Sequence, residues 1–217
     1  MLVIKGATIP CAHTWHHDPA ASPDVRNLTM KTSFRNREDA GTQLAHRLAI
    51  DLKGTPNIIV LALPRGGVPV AVPVAAQLHA PLDIIAVRKL GLPHDPGCAM
   101  GAIADPDITE LDESLIKRAH VAPSVVHDIQ TREHQELARR TLLYRGRRPK
   151  ADLRNKTVVL IDDGVATGYT LRAAVRSVQT QHPAAIIVAI PVGSRLACDT
   201  LRSRVDQIVC LHELSSF

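Results

Sequence analysis

Two adjacent carboxylates, Asp162 and Asp163, follow the short apolar run Val158, Val159, Leu160 and Ile161. A continuous β-branched run of that length reads as a buried strand of a parallel sheet, so the acids sit where the strand ends. Behind them comes Gly164-Val165-Ala166-Thr167-Gly168-Tyr169-Thr170, a loop of small and hydroxyl residues that runs into the helical pattern of Leu171, Arg172, Ala173, Ala174 and Val175. Strand, small-residue loop and helix N-terminus form an anion site, because unpaired N–H groups and the positive end of the dipole converge there. Thr167 and Thr170 add hydroxyl donors. A pure phosphate cradle would repel two acids, so the pair needs a second partner. Vicinal sugar hydroxyls or a hydrated Mg²⁺ supply one, since an ionised carboxylate only accepts. A ribose 5-phosphate satisfies both halves. The stretch is neither a Walker A loop nor GxGxxG.

The segment VVLIDDGVATGYT resembles the phosphoribosyl-diphosphate (PRPP) binding signature of type I phosphoribosyltransferases. From Phe34 to about Leu211 the chain is similar to a group of microbial phosphoribosyltransferases of unknown acceptor. The shared stretches are FRNREDAG, VLALPRGGVPVA, VRKLG, AMGAIA and YRGRRP. The resemblance implies a Mg²⁺-dependent transfer of ribose 5-phosphate from PRPP to a nitrogen acceptor, a nucleobase, with release of pyrophosphate. It also implies a homodimer. Asp162 and Asp163 would hold the ribose hydroxyls and the metal, and Val165, Ala166, Thr167, Gly168, Tyr169 and Thr170 the 5-phosphate. The alternative is a non-catalytic, PRPP-sensing regulator that kept the site and lost the chemistry.

Arg65, Gly66 and Gly67 follow another predicted strand. Their glycines expose N–H donors and Arg65 offers a fork to phosphate oxygens. In the resembled family this is the diphosphate loop, often with a non-proline cis peptide. Arg88 and Lys89 end the next predicted strand, so one of them should face the cleft. The resemblance favours Lys89 at the diphosphate, with Arg88 as the alternative. Residues 91–98, rich in Gly and Pro, are expected to form a mobile lid carrying His94 and Asp95. The chain departs from the family in two places. Gly97 stands where relatives commonly carry an acid, and no aromatic-rich tail follows the last strand, which leaves the acceptor pocket open. Tyr169 exceeds the usual residue at its position and is a candidate to compensate by stacking.

The elements that must position these groups alternate. Asn36 is a candidate cap for a helix with Leu44, Leu48 and Leu52 on one face, and Glu38 and Asp39 favour its first turn. Strands are expected at 57–63, 82–87, 158–161, 185–191 and 207–211, with short ones at 100–104 and 108–111. Helices are expected at 68–79, 124–144, 171–181 and 194–203. The pattern predicts an α/β fold: a doubly wound, mostly parallel sheet flanked by helices, with a small hood and flexible loop, and the site at the carboxyl ends of the strands.

At 217 residues the chain is long enough for one well-buried domain. A formal charge of +5 favours anionic ligands, but aromatic residues make up only 2 % of the chain. Few platforms for base stacking remain, so nucleic acid is not the expected partner. Arg139, Arg140, Arg145, Arg147 and Arg148 read as a solvated helix face beside Glu133 and Glu136. Cys11, Cys98, Cys198 and Cys210 show no CxxC spacing, so reduced thiols and a cytoplasmic location are expected. No apolar run reaches membrane-spanning length. Residues 1–29 lack periodicity and read as a flexible leader, with Cys11, His13, His16 and His17 a weaker zinc pattern and Met30 an alternative start. The main domain is then 30–217.

Overall fold

The computed structural model describes residues 34–215. The leader and its His/Cys pattern lie outside the described residues.

The first helix, α1 (Arg37–Asp51), starts as its residue types require. The Asn36 side chain accepts from the Asp39 N–H at 2.8 Å, and Leu44, Leu48 and Leu52 are buried. There follow β1 (Ile58–Ala62), α2 (Gly67–Gln77), β2 (Leu82–Ile84), β3 (Val87–Gly91), β4 (Ala99–Ala104), β5 (Ile108–Leu111), α3 (Glu113–Arg118), α4 (Pro123–Arg145), β6 (Thr157–Ile161), α5 (Tyr169–Gln179), β7 (Ala185–Ser194), α6 (Arg195–Arg202) and β8 (Gln207–Leu214). In α2, Pro69 occupies the first turn and Pro73 lies inside the helix.

Five strands form one parallel sheet in the order β2-β1-β6-β7-β8. Period-two alternation splits its side chains between two cores. Ile59, Leu61, Val158, Leu160, Ile186 and Val188 meet α5 and α6 on one face. Val60, Ala62, Val159, Ile161, Ile187 and Ala189 meet α1 and α2 on the other. The sheet is therefore doubly wound: the inner strands β1, β6 and β7 are mostly apolar because both their faces are covered, whereas the edge strands β2 and β8 also carry Asp83, Gln207, His212 and Glu213.

One predicted strand divides. Residues 82–84 pair with β1, but the chain then leaves the main sheet, and Val87–Gly91 begins a separate antiparallel sheet of order β3-β4-β5. Arg88 and Lys89 thus stand mid-strand in that second sheet and do not close a core strand. The sheet covers α5 through Ala102, Ala104 and Ala173, and its other core residues, among them Leu90 and Met100, meet α3 and α4. The 92–98 connection is a hairpin turn tied by Leu92 N–H to Cys98 O (3.0 Å) and Cys98 N–H to Asp95 O (3.0 Å). Among the described residues, no helix is long and apolar enough to cross a membrane. Cys198, buried, and Cys210, half-buried, are free thiols.

Candidate functional site

The site forms where β1 and β6 end side by side. These strands pair in register from Ile58 with Thr157 to Ala62 with Ile161, so the segments that leave them emerge together. Leu63 N–H donates to Ile161 O at 2.9 Å, which stitches the first loop to the end of β6. The Pro64–Arg65 peptide is cis, as the family resemblance implied for this loop. The contact explains both glycines. A Cβ on Gly66 would fall inside the Asp163 carboxylate, and one on Gly67 would lie 2.5 Å from Ile161 O. Arg65 projects into solvent, and its guanidinium meets no acceptor among the described residues.

Asp162 and Asp163 are half-buried. Asp163 N–H donates to Asp162 Oδ1 at 2.9 Å, and Arg37 holds Asp163 Oδ2 at 2.7 Å. Burial, and then the charge of Asp163, push the Asp162 carboxyl far above the ordinary carboxylate range, while the Asp163 N–H and Arg37 oppose the shift. The pair is an acceptor cluster with one member poorly satisfied.

The loop beyond is anchored on one flank. Val165 N–H reaches Val192 O (3.0 Å), Ser194 N–H reaches Val165 O (2.8 Å), and Ser194 Oγ donates to Ala166 O (2.5 Å). Gly168, with φ of +81°, turns the chain into α5. Glycine is required there because side-chain-bearing residues seldom adopt that conformation. Among the described residues, the amides of Ala166, Thr167, Gly168, Tyr169 and Thr170 find no protein acceptor. Five open amides at a helix N-terminus make a cradle for an anion.

The structure thus brings Arg65, Gly66 and Gly67 against Asp162 and Asp163, with residues 165–170 continuing from the same strand end. Arg88 and Lys89, inside β3, are already engaged with protein groups. Arg88 is ion-paired with Glu133 of α4 at 2.5 Å, and exposed Lys89 donates to Gly97 O at 2.9 Å in the hairpin turn. Asp95 accepts from Gly97 N–H at 3.1 Å, which occupies it locally. The basic stripe of α4 is largely dismantled into pairs. Arg139 and Arg140 share Glu136, and Arg145 turns inward to Asp83 and Ile84 O.

Tyr169 does not stand open for stacking. Its hydroxyl donates to Asp112 Oδ2 at 2.5 Å, and the Arg172 guanidinium lies 4.5 Å above its ring. Burial and the Asp112 carboxylate push the phenol up to about 12. An aromatic contact does exist, between Phe34 and His212 (centroids 5.2 Å apart), joining the start of the described chain to β8. Sequence reasoning missed three pairings here: Arg37 with Asp163, Tyr169 with Asp112, and Phe34 with His212. The FRNREDAG stretch carried a signal for the first and third, but each partner lies far away in sequence.

The donor set at the acids suits a hard cation. Among the described residues no group of three or more His, Cys, Asp or Glu could hold an ion alone. Two neighbouring carboxylates instead match the way Mg²⁺ is held, by one or two protein oxygens with waters and substrate phosphates completing the shell.

The Phosphoribosyl transferase domain family matches residues 32–213. Two Mycobacterium tuberculosis proteins, each named "Putative phosphoribosyl transferase", are 38 % identical over 178 residues. The alignment takes in 82 % of this chain but only 40 % of each relative, so the chain spans about two fifths of their length. The crystal structure of TT1426 from Thermus thermophilus superposes with a TM-score of 0.68 at 38 % identity, covering 85 % of this chain and 86 % of that one. Matched along most of its length in both sequence and fold, the chain belongs to the phosphoribosyl transferase domain family.

Proposed function

We propose that this domain transfers ribose 5-phosphate from PRPP to a nitrogen acceptor, a nucleobase, and releases pyrophosphate. The C1–O bond to pyrophosphate breaks and a C1–N bond forms, through an oxocarbenium-like carbon akin to that of glycoside hydrolysis. The observation that carries the reading is the contact between two loops of different chemistry. A glycine loop with an unpaired arginine touches the acidic pair that opens the amide cradle. A ligand holding diphosphate, vicinal hydroxyls and a terminal phosphate in that order spans them.

The chain's own groups do most of the positioning. Residues 166–170 orient the 5-phosphate through backbone N–H groups, Asp162 and Asp163 accept from the ribose hydroxyls, and Arg65 draws off negative charge as it develops on the leaving diphosphate. Mg²⁺, held at Asp162 and Asp163, would act as a Lewis acid on the phosphate oxygens. A homodimer and a cytoplasmic setting accompany this reading.

The rival reading is a PRPP-sensing module without turnover. It is favoured by one observation: Arg88 is paired with Glu133 and Lys89 donates to Gly97 O, so both cations are engaged within the second sheet, its turn and α4. Incubating the protein with PRPP, Mg²⁺ and a panel of nucleobases, and following pyrophosphate release, separates the two. Release dependent on a base supports the transferase. Tight PRPP binding without release under any base supports the sensor.

A further inference from the structure

We infer that Tyr169 is a positioning residue for the anion loop, and that it acts through a carboxylate, Asp112, supplied by the second sheet. The inference rests on reading that loop as the ribose 5-phosphate cradle.

The loop is held unevenly. Its first half is tied to the end of β7 through Val165, Ala166 and Ser194. Its second half has no corresponding tie from Thr167 or Thr170, whose side chains make no hydrogen bond among the described residues. Gly168, at φ +81°, is the most freely rotating backbone of the segment. What fixes the start of α5 is the next side chain, Tyr169.

That side chain is clamped on two sides. Its hydroxyl gives a charge-assisted bond to Asp112, and such bonds are short and strong. Asp112 cannot follow a wandering tyrosine, because it is the N-cap of α3 and accepts from the Leu115 N–H (2.9 Å) and the Ser114 hydroxyl (2.7 Å). Arg172 covers the ring, and its own guanidinium is fixed to Glu110 at 3.0 Å. Glu110 is buried at 7 % exposure and also meets Arg176 and Arg204. Glu110 lies in β5 and Asp112 directly follows the strand's last residue, so both carboxylates come from the same end of the sheet. One edge of the second sheet thus offers two carboxylates to α5, one gripping the ring's cover and the other its hydroxyl.

The consequence is specific. Cradle amides bind an oxyanion only while they point at it, since hydrogen bonds weaken steeply once misaligned. Releasing Tyr169 should loosen the cradle and leave the diphosphate loop intact, because that loop is stitched to β6 and not to α5.

The test uses the full chain with ribose 5-phosphate and inorganic pyrophosphate as separate calorimetric probes. Tyr169→Phe removes only the hydroxyl, and Asp112→Asn weakens the same bond from outside the loop. Ribose 5-phosphate is expected to bind about fivefold to tenfold more weakly to either variant, with pyrophosphate unchanged within about twofold. The double variant should be no worse than Tyr169→Phe alone, because the two substitutions remove one shared bond. Unchanged ribose 5-phosphate affinity in Tyr169→Phe, equal weakening of both probes, or additive losses in the double variant would each overturn the inference. A wild-type chain that binds pyrophosphate but not ribose 5-phosphate overturns the underlying reading of the loop, and the inference with it. The two failures are therefore told apart by the wild-type titration.

Discussion

Replacing Asp162 with asparagine should stabilise the empty protein and weaken its ligand, two effects of opposite sign from one atom pair. In the fold the carboxyl is half-buried beside Asp163, so its charged form is disfavoured and its pKa is raised. A carboxyl whose folded pKa exceeds its unfolded value contributes stability that is complete below the unfolded value, near 3.8, and is lost as pH rises through the folded one. At neutral pH the wild type therefore bears a cost that the amide does not. With water reaching part of the group, that cost is on the order of 1–2 kcal/mol. For a domain of this size it corresponds to a melting temperature higher by about 2–8 °C in Asp162→Asn. The gain should be largest near pH 8 and vanish near pH 4. Ligand binding moves the other way. Once the carboxyl is ionised, as it is above about pH 8, its charge-assisted bonds to the ribose hydroxyls are about twice as strong as neutral ones, so there the amide should cost about 1 kcal/mol, roughly fivefold in the Kd for Mg²⁺–PRPP. Thermal melts across that pH range, paired with calorimetry, read both effects. A simple phosphate cradle predicts tighter binding when negative charge is removed. Tighter PRPP binding in both Asp162→Asn and Asp163→Asn would refute the ribose assignment.

Arg65→Ala should weaken PRPP by at least about tenfold through loss of a charge-assisted bond worth roughly 1.5–3 kcal/mol, while ribose 5-phosphate binds almost unchanged. Equal losses for both ligands in a titration would make Arg65 structural. Gly67→Ala should destabilise by about 1–3 kcal/mol in denaturant unfolding, because its Cβ would meet the Ile161 carbonyl, a backbone atom that cannot swing aside. Glu110→Gln leaves Arg172, Arg176 and Arg204 without their buried counter-charge and should cost about 3–5 kcal/mol at pH 7. Burial alone would raise Glu110, but its arginine partners win and hold it below 4.5. Its contribution is thus present above that value and lost as pH falls further, so the variant's melting curve should be flatter in acid than the wild type's.

How much of this was legible depended on whether the cause was local. The strand Thr157–Ile161 and the helix behind the Asn36 cap announced themselves, because burial on both faces and a cap both leave marks within a few residues. The acidic pair and the glycine loops were equally readable, since special backbone and clustered charge demand particular residue types. The split after Ile84 was not. Residues 84–87 form one unbroken apolar run across the break, and only pairing with residues 99–104 reveals that the chain has changed sheets. The same limit hid the role of Tyr169. A tyrosine in a phosphate loop suggests a stacking surface until Asp112, 57 residues away, is found on its hydroxyl. Residue type shows what a group can do, and distant partners decide what it does.

The pairing of β1 with β6 has a consequence for how the molecule assembles and how it can be assayed. These neighbours lie about 100 residues apart in sequence, so closing them costs far more chain entropy than forming the local β3-β4-β5 meander. The meander and α4 can form among themselves, and the central strand then has to slot between β1 and β7. Because the two halves of the site leave β1 and β6, no partly assembled form owns a complete site. A ligand that needs both halves binds the finished fold alone, and its whole affinity appears as added resistance to unfolding, growing with the logarithm of its concentration. Heat-denaturation shifts across a library of phosphorylated sugars and nucleobases would therefore report ligands of this site before any reaction has been observed.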